Sequence, residues 1–113
     1  MKKFIFDEYK ECINPNRIEV GDEDFFVEIW TACKNGKWYN GFRYWTRGHN
    51  FKNEVFLNTT EFESEIDAIR NCVTHLIKSF EWDNSRQIHR TLEIPDYIFT
   101  GLKKLLTPQL SLF

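Results

Sequence analysis

One stretch of the chain sets rings among cations in a way that would suit chemistry on nucleic acid. Trp30, Tyr39 and Trp45 alternate with Lys34, Lys37, Arg43 and Arg47. Bases stack on aromatic rings while Lys and Arg follow the phosphates, so this composition is what a single-strand platform needs. The charge distribution singles out the same stretch. Residues 31–60 carry five basic side chains against one acidic, whereas residues 1–30 carry four against eight. The net charge is −2, which excludes a globally basic binder and leaves only a local patch.

Other reactive side chains form no pattern. His49, His75 and His89 share no metal-ligand spacing, and Cys72 and His75 make a lone C-x-x-H. The five glycines are scattered, without a phosphate-cradling loop. Asp22, Glu23 and Asp24 precede a strand and read as a solvated turn; Asp24 and Glu28 lack the third ligand and the lysine of a magnesium nuclease. Cys12, Cys33 and Cys72 are odd in number and widely spaced, as in a reducing cytosol. The expectation is a cytoplasmic non-enzyme with no metal and no cofactor. No apolar run is long enough to span a membrane, and the N-terminal residues are too quickly charged for a signal peptide.

The elements that must position the rings follow from turn chemistry and periodicity. Asn35-Gly36 suits both positive-φ positions of a type I′ turn, the favoured two-residue hairpin loop. Strands are predicted over about 24–34 and 37–47, pairing Lys34 with Lys37, Thr31 with Asn40, Glu28 with Arg43 and Phe26 with Trp45. One face then carries Phe25, Val27, Ile29, Phe42 and Tyr44 and packs under a helix. The other carries Trp30, Tyr39, Arg43 and Trp45, with Trp30 placed to cover the bare Gly41 and Glu28 to pair with Arg43.

A third strand is expected at about 54–58. Thr60 and Glu63 fit a capping box for a helix over about 61–80, whose apolar stripe is Ile66, Ile69, Val73, Leu76, Ile77 and Phe80. A short helix at about 85–91 and a better one from Pro95 to about 106 follow, the latter with Ile94, Ile98, Leu102 and Leu105 inward. Residues 4–13 suggest a strand and a short helix, with a turn at Asn14-Pro15-Asn16. The fold class is α+β: an antiparallel sheet of about three strands on one long helix, with a shorter C-terminal helix and an extended tail. With 113 residues and 13.7 kDa, 1–106 form one domain and 107–113 a separate peptide.

That tail reads Gln109, Leu110, Ser111, Leu112, Phe113. It resembles the pentapeptide by which bacterial DNA-processing proteins dock on the replicative sliding clamp: Gln, an aliphatic residue, a small or acidic one, then Leu-Phe. All five positions match. The resemblance implies that Leu112 and Phe113 are apolar anchors, Gln109 occupies a polar subsite, Leu110 adds a second apolar contact and Ser111 stays wet. Pro108 stiffens the approach, so less ordering entropy is lost on docking. The function expected is therefore that of a small accessory protein of bacterial, phage or mobile-element DNA replication or repair. Its partners would be the sliding clamp and, through the hairpin, single-stranded DNA or another nucleic acid. The alternative is a homo-oligomeric structural or interaction protein whose aromatic sheet face is a dimer interface and whose tail packs on its own domain.

Overall fold

Asn35 and Gly36 adopt φ of 55° and 78°, the left-handed pair that closes a type I′ hairpin. In the computed structural model, which describes residues 2–46, 49–57, 59–86 and 93–106, this turn joins β2 (Phe25–Lys34) to β3 (Lys37–Thr46). The register is the expected one, from Lys34 opposite Lys37 to Phe26 opposite Trp45. β1 (Asn16–Gly21) and β4 (His49–Asn53) complete an antiparallel meander in the order β1-β2-β3-β4.

The architecture is α+β, with the sheet in the middle of three layers. On its front, α1 (Glu65–Arg86) packs over β2 and β3, and α2 (Asp96–Leu106) packs beside it over β1. Phe25, Val27 and Ile29 meet Cys72, Val73, Leu76, Ile77 and Phe80 of α1 and Ile98 and Leu102 of α2 in the main core. Among the described residues, no helix is long and apolar enough to cross a membrane.

Several boundaries differ from the expected ones. The third strand lies at 49–53 rather than 54–58, because an edge strand needs little hydrophobic alternation and His49-Asn50-Phe51-Lys52-Asn53 shows little. β1 is an additional strand, its alternate half-buried and exposed residues set against β2. Residues 4–13 form no helix: Asp7 to Glu11 make a tight turn closed by a Phe6–Cys12 bridge.

The helix expected at 61–80 runs from Glu65 to Arg86. Thr60 and Glu63 do not cap it, because Phe62 is held in an extended bridge to Trp38 of β3. Ser64 is the cap; its Oγ accepts from the Asp67 amide at 3.1 Å, a contact worth about 1 kcal/mol. The later start turns Ile66 outward and begins the buried stripe at Ala68. At the far end the helix continues through Trp82, Asp83, Asn84 and Ser85 instead of turning there. Asn84 then exchanges hydrogen bonds with both backbone groups of Ile94, at 3.1 and 2.8 Å. Of the helix expected at 85–91, residues 85 and 86 belong to α1, and 87–91 lie outside the described residues. Pro95 precedes α2, and its carbonyl accepts from the Ile98 amide.

Candidate functional site

The back of the hairpin holds the rings and cations singled out by composition, and the register sets Arg43 opposite Glu28 and Trp30 opposite Gly41. The back is not an open platform. At the end of β4 the chain turns across the sheet, so that the backbone of Asn53, Glu54 and Val55 lies on Gly41. This crossing, rather than the ring of Trp30, covers the glycine. Val55 accepts a hydrogen bond from the Cys12 amide at 2.8 Å, and Phe56 bridges to Glu11. Residues 4–13 and 54–57 thus form a small patch layered on the lower half of the back face.

Under that patch Trp30 and Tyr39 are 8 % and 5 % exposed, in a second core with Cys12, Ala32 and Val55. Neither can stack a base, and this corrects the expected platform. The cover comes from the chain's own residues 4–13 and 54–57, not from a partner subunit's sheet face. The physical reason is Gly41: a side chain missing in mid-strand lets a second backbone approach closely.

The cations are largely matched by acids. Lys37 Nζ lies 2.6 Å from Glu63, which holds its ammonium above the usual range. Arg43 lies 3.9 Å from the buried Glu28, which also accepts from Trp30 Nε1 at 3.1 Å. Lys52 pairs with Glu54 at 3.3 Å. The local excess of positive charge is therefore mostly neutralised once the chain folds. Lys34 sits over the Phe6 ring at the hairpin tip, about 26 Å along the strand from the remaining rings. Those rings are Phe26 and Trp45, stacked with centroids 5.8 Å apart, with Arg43 over Phe26. Arg47 lies outside the described residues.

The other reactive groups serve the fold. Asp22 accepts from the Asp24 and Phe25 amides and from the Tyr97 hydroxyl at 2.9 Å. That hydroxyl above all holds the Asp22 carboxyl below its ordinary range. Glu65 takes hydrogen bonds from Thr31 at 2.7 Å and Asn16 at 3.0 Å, tying α1 to β1 and β2. Burial pushes the Cys72 thiol up to about 12 and raises that of Cys12, so neither supplies a thiolate near neutral pH. Among the described residues, no three His, Cys, Asp or Glu side chains gather as metal ligands.

Gln109, Leu110, Ser111, Leu112 and Phe113, the sequence-derived clamp-binding residues, lie outside the described residues. What the structure gives is their root. α2 is seated by the fully buried Ile98 and Leu102 and ends at Leu106. No protein-family model matches the chain, and no curated protein or solved structure is significantly similar to it.

Proposed function

We propose that the chain is a non-catalytic accessory protein of DNA metabolism in a bacterium, phage or mobile element, docking on the replicative sliding clamp through residues 109–113. The observation that carries this reading is the match of Gln109, Leu110, Ser111, Leu112 and Phe113 to all five positions of the clamp-binding pattern. Two features support it. The back face, the other candidate surface, has its central rings covered and most of its cations matched by carboxylates. The second is that α2, seated by the buried Ile98 and Leu102, ends at Leu106, three positions before the motif in the sequence.

Docking works by dropping a few anchors into preformed pockets. Burying one Leu and one Phe gives on the order of 3–6 kcal/mol before the cost of association is subtracted. Gln109 adds a donor and an acceptor at a polar subsite. The expected affinity is micromolar, on the order of 10 µM. The body acts as an adaptor that brings whatever it binds to the ring.

The test is a titration of a bacterial sliding clamp with the full chain and with the Leu112→Ala, Phe113→Ala double variant. The intact chain should bind, with a free peptide of residues 109–113 as competitor. Loss of both anchors should weaken binding by about 100-fold while the melting temperature stays within a few degrees. Absence of binding by the intact chain overturns the reading, as does a double variant that binds as tightly.

A further inference from the structure

The sheet has two edges, and they are treated differently. β1 carries α2 packed on its front face, with Gly101 directly against Val20 and Ile98 reaching Gly21. β4 ends the sheet on the other side, and neither helix covers it comparably. The direction of its backbone groups follows from the hairpin. In a two-residue loop Lys34 and Lys37 bond each other, so odd-numbered residues of β3 turn their amides and carbonyls toward β2. Trp38 accordingly exchanges both of its backbone bonds with Phe62 on the outer side, at 2.8 Å each. Phe42, Tyr44 and Thr46 share that direction and face Asn53, Phe51 and His49 of β4. Asn50 and Lys52 therefore turn their backbone groups outward, one residue either side of Phe51.

We infer that β4 pairs with β4 of a second copy of this chain, antiparallel and with a two-fold axis at Phe51. In that register Asn50 of each copy meets Lys52 of the other, and every outward amide and carbonyl of the two residues finds a partner. Phe51 meets its own mate as a non-hydrogen-bonded pair, the spacing at which side chains come closest. The edge is self-complementary, as an isologous contact requires.

The side chains agree with this pairing. The front-face rings run outward from the core, Phe25 to Tyr44 at 6.2 Å and Tyr44 to Phe51 at 4.8 Å, and Phe51 keeps 40 % of its surface exposed. On α1, His75 packs against Phe42, and Trp82, two turns further on the same helix face, is 58 % exposed. A second copy extends this row of rings across the seam and brings both Trp82 rings toward it. Each Lys52 carries its own Glu54 at 3.3 Å, so two lysines facing the seam do not repel as bare charges. One short strand and two partly exposed rings from each copy make a small contact, of the low-end class of specific interfaces. The dimer is accordingly weak, with a dissociation constant on the order of 10 µM. This inference is independent of the tail and its clamp.

Sedimentation of the full chain from about 1 µM to about 1 mM should pass from monomer to dimer. Lys52→Pro and Asn50→Pro each remove an outward amide that β3 does not use, at positions already extended. Both variants should remain monomeric over the whole range with an unchanged near-ultraviolet circular dichroism spectrum. In the wild-type chain, exchange of the Asn50 and Lys52 amides should slow as concentration rises, a readout that needs no folded variant. A wild-type chain that stays monomeric to the top of the range overturns the proposal. So does a dimer that forms with both amides still exchanging freely, or one that persists in folded proline variants.

Discussion

Gly41→Ala should destabilise the protein by at least about 3 kcal/mol, although alanine is the smallest side chain that can be added. A Cβ at this position would meet the carbonyl oxygen of Asn53 and approach Glu54 C and Val55 N to 2.9 Å each. All three are backbone atoms, so no rotamer change relieves the collision. Either the crossing strand lifts off the sheet, or β3 moves out of the register that seats Tyr39 and Phe42. Gly36→Ala is the control. Gly36, unlike Gly41, has a positive φ, 78°, and nothing lies within 4 Å of an added Cβ; the cost there is about 1 kcal/mol, from conformation alone. Urea denaturation of the two variants measures both. Equal midpoints would mean that the chain does not cross tightly over Gly41.

Phe80→Ala should cost about 4 kcal/mol, a large part of the roughly 5–15 kcal/mol that stabilises a domain of this size. Phe80 has no exposed surface and joins three rings edge-on: Tyr44 at 5.0 Å, Phe25 at 6.0 Å and Phe99 at 6.4 Å. These belong to β3, β2 and α2, so one side chain holds both helices to the sheet. Deleting it leaves a cavity that three flat rings on separate elements cannot easily close, and each ring contact adds about 0.5–1.5 kcal/mol beyond area burial. A calorimetric melting temperature lowered by about 15 °C is expected, at roughly 4 °C per kcal/mol. A drop of only a few degrees would show that the rings repack and that the core is not organised around Phe80.

The hairpin was legible to the residue because Asn35-Gly36 admits one loop geometry and a two-residue loop admits one register. The front-face core followed from strand alternation meeting helical periodicity, and α2 from Pro95 together with the spacing of Ile94, Ile98 and Leu102. What covers the back face was not legible, for a specific reason. Trp30 and Tyr39 among lysines and arginines look the same in sequence whether solvent, nucleic acid or another segment covers them. Of the acids that neutralise the cations, Glu28 is legible opposite Arg43, but Glu63 lies beyond the hairpin and no register points to it. Two features of the sequence bear on the cover: the isolated Gly41 in a long strand, and the apolar residues Phe4, Phe6 and Cys12 near the N-terminus. The capping box misled because Ser64 offers a second cap four residues on, and the pairing of Phe62 with Trp38 decides between the two.

The back patch also has a place in time. The hairpin closes over two residues, whereas the bond from Cys12 to Val55 must close a long loop around the whole sheet, and that entropic cost is met only after the sheet exists. The N-terminal segment therefore docks late, onto a hairpin already paired, and contributes to keeping the protein folded more than to folding it. Phe6, which packs on the buried cluster of Trp30, Tyr39 and Val55, is the residue to probe. In stopped-flow measurements Phe6→Ala should speed unfolding while the refolding limb stays where it is; a slowed refolding limb would put the segment in the nucleus instead.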